Sequence, residues 1–224
     1  LLEDITDQGI SAIVIIPAGG VSGLFMESAE MLFRYHESLF IFDRGSLECD
    51  ESILNTVGIN NFADGVTAVE TAIRSGTVRR IIFCMHQITD CRWQKERLRG
   101  VRLGAWRMSG GAVFVENYVY GVHGEFPLNA PSPETVLIAC HDEAAVTFIE
   151  AGKRRNLHPG KDYKIIGFGD DSRFSQYELT TLSPNLELIA KHLARQILDS
   201  IANREPAILH SCRVSSKLIR RKTL

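Results

Sequence analysis

The chain has 224 residues, a formal net charge of −2, 45% hydrophobic and 23% charged residues, the balance of an ordinary globular protein long enough to bury a sizeable core. The lack of a basic excess excludes a self-sufficient nucleic-acid binder, since phosphate contacts supply most of such a protein's affinity; any DNA-binding part is expected outside this chain. No apolar stretch approaches the roughly 20 residues that span a bilayer, which excludes a transmembrane helix.

In chain order, the first predicted element is a strand at Ala12–Ile16, followed by another at Leu39–Phe42. Phe62, Val66, Val69 and Ile73 then fall at i, i+4, i+7 and i+11, one face of a helix. Asn60 or Asn61 suits its cap, Asp64 its first turn and Gly76 the position past its end. Strands follow at Arg80–Phe83, Ala112–Val115 and Val136–Cys140. A helix from Asp142 to Ala151 stops at Gly152, a strand covers Tyr163–Phe168, and a last helix runs from Asn185 to Ile201. The strands are short and rich in Val, Ile or Phe, as strands buried on both faces are. Their alternation with helices predicts βαβ units and a mostly parallel sheet. The stretch Gly65–Arg80 has the outline of a helix-turn-helix, but Arg80-Ile81-Ile82-Phe83 is strand-like and a helix running into a strand accounts for it better.

The five cysteines, Cys49, Cys84, Cys91, Cys140 and Cys212, are odd in number and lie mostly within apolar runs. They read as buried free thiols in a reducing compartment and not as a disulfide framework. The chain opens at Leu1-Leu2-Glu3-Asp4 without an initiator methionine, which reads as a fragment, so a missing signal peptide excludes nothing.

In open parallel sheets, ligands bind beyond the carboxyl ends of the strands. Those ends carry Pro17-Ala18-Gly19-Gly20, Asp43-Arg44, Cys84-Met85-His86, Cys140-His141-Asp142 and Gly167-Phe168-Gly169-Asp170-Asp171. Carboxylates, imidazoles and glycines therefore collect at one end, while the loops entering the strands hold ordinary turn residues. Each polar residue also has a structural use: Asp142 as a helix N-cap, Asp170 and Asp171 as turn caps, His86 and His141 as partly buried imidazoles. No phosphate-loop or dinucleotide glycine spacing occurs. Cys84, His86 and Cys91 fit no standard zinc pattern, and there is no nucleophile elbow, paired-histidine metalloprotease motif or kinase signature.

Several segments resemble the lactose/galactose-repressor (LacI/GalR) family of transcription regulators. Gly9-Ile10-Ser11-Ala12-Ile13-Val14-Ile15-Ile16-Pro17 is similar to the strand after the family's second helix, and Leu39-Phe40-Ile41-Phe42-Asp43-Arg44 to its next strand with a terminal Asp. Asn61-Phe62-Ala63-Asp64-Gly65 and Gly76-Thr77-Val78-Arg79-Arg80-Ile81 resemble its helix and "G-H-R-R-I" strand entry. Glu96-Arg97-Leu98-Arg99-Gly100 matches its R-x-x-G helix, and Cys140-His141-Asp142-Glu143-Ala144-Ala145 its N-D-x-x-A element. Ile165-Ile166-Gly167-Phe168-Gly169-Asp170-Asp171 with Leu179-Thr180-Thr181-Leu182 resembles "V-G-F-D-D … L-T-T-I", and Leu218-Ile219-Arg220-Arg221-Lys222-Thr223 the closing run.

The resemblance covers nearly the whole chain in order. It implies an α/β, type I periplasmic-binding-protein-like fold: two Rossmann-like lobes with parallel sheets and a ligand cleft between them. The N-terminal lobe would comprise 1–59 and 185–206, without the family's leading β-α unit, which would leave a sheet edge exposed. The C-terminal lobe would comprise 60–184 and 207–224, with crossings near 59–61, 183–185 and 206–212.

The resemblance implies a ligand-binding set of Asp43 (sugar-contacting carboxylate), Arg97 (guanidinium donor), Tyr120 (cleft aromatic), His141 (where Asn or Asp is usual) and Asp170. Gly169 stands where the family often has Asp. The function implied is effector sensing: a small sugar-like metabolite controls DNA binding allosterically through a helix-turn-helix head outside this chain, in a cytoplasmic homodimer. No catalytic residue, metal, cofactor or membrane partner is implied. A periplasmic sugar-binding protein of a transporter is the alternative, and an enzyme on the same scaffold the third reading. On this basis Arg97→Ala is expected to weaken effector binding without unfolding the protein.

Overall fold

The structure, a computed structural model, describes residues 12–16, 39–43, 55–85, 91–203 and 211–224. The chain divides into two compact units, Leu1–Asn60 with Cys91–Trp93 and Asn185–Val214, and Asn61–Asp90 with Gln94–Pro184 and Ser215–Leu224.

The described part of the first unit is a parallel sheet of order β1-β2-β3-β9, made of β1 (Ile13–Ile15), β2 (Leu39–Asp43), β3 (Asn55–Ile59) and β9 (Ser211–Val214). Helix α4 (Leu186–Asn203) packs on one face: Ile189 and Leu193 meet Val57, Ile59 and Val214, with Phe42 and Cys212 alongside. The strand β9 pairs with β3 residue for residue from Thr56↔Ser211 to Ile59↔Val214. That pairing corrects the expected third crossing at 206–212: the chain leaves the first unit after Val214, and 211–214 belong with the first sheet. The strand β3 itself was not expected from the sequence, because Asn55, Thr56 and Gly58 interrupt its apolar run; all five of its residues are nevertheless buried.

The second unit holds a six-stranded sheet of order β10-β8-β7-β6-β4-β5. Its strands are β4 (Arg80–Met85), β5 (Phe114–Val119), β6 (Thr135–Ala139), β7 (Lys164–Phe168), β8 (Thr180–Ser183) and β10 (Lys217–Ile219), all parallel except β10 against β8. The strands β4, β6 and β7 are nearly fully buried and read from the sequence as apolar runs. The edge strand β5 lies farther along the chain than expected, because Glu116 and Asn117 face solvent and dilute its pattern. Helices α1 (Asn61–Arg74), α2 (Arg92–Ser109) and α3 (Asp142–Lys153) complete the unit. Residues 65–80 are thus the body of α1 running into β4.

Gly152 does not end α3. It lies inside the helix and is buried, and a Cβ there would stand 2.9 Å from the Tyr163 hydroxyl and 3.0 Å from Phe126. It is a packing glycine, which lets the helix sit against two aromatic rings. Cys84 and Cys140 are buried free thiols, Cys91 and Cys212 are half-buried and free, and burial pushes the Cys84 thiol up; Cys49 lies outside the described residues. Among the described residues, no helix is long and apolar enough to cross a membrane.

Candidate ligand-binding site

In the second sheet β5 lies on one side of β4 and β6 on the other, so the strand order reverses between β4 and β6. Such a switch point opens a crevice beyond the carboxyl ends of the strands. Tyr120 follows β5, His141 follows β6, and Gly169 to Asp171 follow β7. The edge is knit together by the main chain, the Tyr120 N–H donating to the Met85 carbonyl (2.9 Å) and the Cys140 N–H to the Cys84 carbonyl (2.8 Å).

Arg97 comes to this edge from α2. It is 8% exposed; its Nε donates to Asn61 Oδ1 (3.0 Å), its Nη1 donates to the Cys140 carbonyl (2.6 Å), and the guanidinium carbon lies 4.6 Å above the Phe168 ring. Arg97 therefore ties the start of α1, the loop after β6 and the last residue of β7 to α2. An Arg97→Ala variant would therefore lose these internal contacts as well as any contact to an effector. Asp64, in the first turn of α1, accepts the Ser216 N–H (2.8 Å) and hydroxyl (2.5 Å), and burial raises its carboxyl above the ordinary value of 3.8.

His141 is the N-cap of α3: its backbone is extended (φ −159°, ψ 171°) and its Nδ1 accepts the Ala144 N–H at 3.0 Å. An accepting Nδ1 puts the imidazole proton on Nε2, which makes Nε2 a donor. Asp142 is thus not the cap. It is buried one residue inside the helix, where Oδ1 accepts the Thr181 hydroxyl (2.7 Å) and Oδ2 the Asp171 N–H (2.9 Å). It anchors the loop carrying Gly169, Asp170 and Asp171 to the end of α3. The loop has Gly169 at φ +139° and Asp170 at φ +55°. Asp170 is ion-paired to Arg221 (2.6 Å), and Asp171 caps the short 3-10 helix Ser172–Tyr177 through the Arg173 N–H.

Burial pushes the Asp142 carboxyl above its ordinary 3.8, with the Thr181 and Asp171 hydrogen bonds pulling back. A carboxyl raised in the folded state contributes stability that is present in full below the unfolded value and lost as pH rises through the folded one. Asp142→Asn keeps both polar contacts if the Thr181 hydroxyl turns to accept, so thermal melts from pH 3.5 upward should show a flatter dependence than the parent. Asp142→Ala leaves a hydroxyl and a backbone N–H without their acceptor and should cost about 1–3 kcal/mol. A parent and Asp142→Asn variant with the same pH profile would refute the assignment.

Tyr120 is half-buried, its ring edge-on to Phe148 with centroids 5.9 Å apart. Four of the expected residues, Arg97, Tyr120, His141 and Asp170, therefore belong to the carboxyl edge of the second sheet. Asp43 ends β2 in the first sheet, fully buried and ion-paired to Arg213 at 2.8 Å. Pro17 to Gly20, Arg44 and His86 lie outside the described residues. Among the described residues, no group of three or more His, Cys, Asp or Glu could hold a metal ion. Sequence reasoning missed Arg213, which looks like part of a polar loop until β9 is paired with β3, and read Asn61 only as a cap although it is the acceptor for Arg97 Nε.

Residues 69–224 match the family model described as a periplasmic binding protein-like domain. No curated protein sequence matches the chain. Among solved structures, a putative transcriptional regulator LacI from Bacillus cereus subsp. cytotoxis is similar at a TM-score of 0.72 and 15% identity, over 100% of this chain and 79% of that one. A LacI family transcriptional regulator from Enterococcus faecium with bound ribose is similar at 0.68 and 17% identity, over 98% of this chain and 81% of that one. A sugar-binding transcriptional regulator (LacI family) from Escherichia coli complexed with phosphate follows at 0.69 and 18% identity, over 100% of this chain and 80% of that one.

Proposed function

The chain belongs to the periplasmic binding protein-like domain family, and from that premise we propose that it is the effector-sensing part of a transcription regulator, binding a sugar-like metabolite without catalysis. The single observation that carries this reading is that Arg97, Tyr120, His141 and Asp170 all stand at the carboxyl edge of the second sheet, whose strand order reverses between β4 and β6. An aromatic flank, an Nε2–H donor and a carboxylate braced by Arg221 suit a small polar ring better than a reaction centre. Sugar and phosphate ligands in fold relatives support the ligand class, and buried free thiols support a cytoplasmic setting. Operator DNA would be bound by a head domain outside this chain, in a homodimer. Effector would act by binding one conformation of the regulator more tightly than another, the only way a ligand shifts such an equilibrium.

Isothermal calorimetry of the complete regulator against D-ribose, hexoses, sugar phosphates, sugar acids and purines tests the reading. Saturable heat with at least one of them is expected; none with any would overturn it. His141→Asn is the sharpest variant, because Asn caps a helix well. It should leave the melting temperature within about 2 °C, consistent with a change under about 0.5 kcal/mol, while weakening the effector that gives heat. Unchanged affinity in that variant would remove His141 from the site.

A further inference from the structure

Strand β5 ends the second sheet: β4 pairs with one side of it, and among the described residues no strand lies on the other. The Tyr120 N–H donates inward to the Met85 carbonyl (2.9 Å). Backbone groups along a strand alternate in direction, so Phe114, Glu116 and Tyr118 bond to β4 while Val113, Val115, Asn117 and Val119 turn their N–H and C=O groups outward. The chain closes this outer edge at both ends. The Val113 N–H donates to Ser109 Oγ at 3.0 Å, the Val119 N–H to His123 Nδ1 at 2.9 Å, and the Val119 carbonyl accepts the His123 N–H at 3.0 Å. Val115 and Asn117 stand between those closures. Val113 and Val119 lie equally far from Glu116 along the chain, so the open stretch is symmetric about that residue.

The side chains follow the same symmetry. Phe114, Glu116 and Tyr118 share one face of the sheet. It is the face of α3, since the Tyr118 ring lies edge-on to Phe148 with centroids 5.9 Å apart. Parallel strands are usually joined through a helix, but residues 120–134, between β5 and β6, form none, and Phe114 is left 76% exposed. Glu116 is already matched in charge: Arg80 Nε and Nη2 each donate to one of its carboxylate oxygens at 2.8 Å. We propose that β5 is the docking edge for a second copy of this chain, laid antiparallel about a two-fold axis at Glu116. Val115 would exchange both backbone bonds with the partner's Asn117, and Asn117 with the partner's Val115. Phe114 would lie across from the partner's Tyr118, an aromatic cross-strand pair. Closed ends would meet closed ends, whereas a longer foreign strand would run onto the Ser109 and His123 closures with its own groups unpaired. The inference rests on the homodimer of the effector-sensing reading and gives it a surface.

Sedimentation velocity of the complete regulator over a concentration series, with hydrogen exchange at the same concentrations, tests this. Dimer should form, and the Val115 and Asn117 amides should slow as it does. Asn117→Pro removes an outward N–H that β4 does not use, the setting in which a strand accepts proline. The two-fold axis makes the loss count twice, so dimerisation should weaken by about tenfold or more. Phe114→Lys changes an exposed side chain, should keep the fold, and should weaken the dimer in the same direction. Amides that exchange equally fast in monomer and dimer, or a dimer indifferent to both variants, would overturn the edge and leave the homodimer to another surface. A monomer at every concentration would overturn edge and homodimer together, while saturable effector heat in calorimetry would keep the sensor reading.

Discussion

Replacing Arg97 with alanine should lower the melting temperature by about 6–12 °C, roughly 3 kcal/mol for a chain of this length. The loss has three parts. Asn61 Oδ1 and the Cys140 carbonyl each lose a charged donor, at 3.0 and 2.6 Å, in a position where little water reaches them. Phe168 loses the guanidinium stacked 4.6 Å above its ring, a contact worth about 1 kcal/mol when partly desolvated. Asp64, whose carboxyl Arg97 helps to hold down against burial, loses that support. Partly offsetting these, a buried cation no longer has to be desolvated. Arg97→Lys should recover only a fraction, because an ammonium lacks the planar fork that lies flat on a ring while serving two acceptors. Effector affinity should fall in step with the melting temperature across Ala, Lys and Met variants, since the residue braces the loop that presents His141. Calorimetric melts of the three variants check this, and an Arg97→Ala protein melting within 1–2 °C of the parent would return Arg97 to a role confined to the ligand.

The sequence made the second sheet legible and the first much less so, for a reason visible in particular strands. The strands β4, β6 and β7 are buried on both faces, and burial writes continuous Ile, Val and Phe runs that can be read directly. The strands β2, β3 and β9 hold Asp43, Gly58 and Arg213 in register, so in β3 and β9 Gly58 and Arg213 stand where an apolar residue would have announced a strand. The Asp43–Arg213 ion pair, like the Thr56–Ser211 hydrogen bond between residues 155 apart in the chain, lies in the register between distant segments, and no local pattern records it. At the candidate site, the positions after β5, β6 and β7 followed from strand ends alone, but their roles did not. His141 and Asp142 are adjacent and both have side chains able to cap a helix; only the extended backbone of His141 and the pull of Thr181 on Asp142 decide between them. Gly152 misled for the complementary reason. Glycine at a helix end usually marks a stop, and here two aromatic rings demand it instead.

The second large effect is expected at Gly100, three residues from Arg97 on α2. A Cβ at Gly100 would collide with the Phe62 carbonyl oxygen and stand 3.1 Å from the Gly65 Cα, and one at Gly65 would collide with the Arg97 carbonyl oxygen. Helices α1 and α2 therefore meet backbone against backbone, and the obstacle to a larger residue is main chain, which has no rotamer to move aside. Gly104, one turn on, continues the contact less tightly, with Val69 Cβ at 3.1 Å and the Val66 carbonyl at 3.2 Å. Gly100→Val must push the helices apart, and overpacking of this kind costs about 3 kcal/mol. Gly104→Ala should cost less than half as much, since part of its nearest neighbour is a side chain and alanine regains helix propensity worth up to about 1 kcal/mol. The consequence reaches the site, because the close approach is what puts Arg97 Nε within 3.0 Å of Asn61. Gly100→Val should therefore mimic Arg97→Ala in effector affinity, and adding Arg97→Ala to it should cost clearly less than the sum of the two. Urea denaturation of the two single variants and the double supplies the cycle. Strict additivity would mean that the glycine packs the helices without placing the arginine.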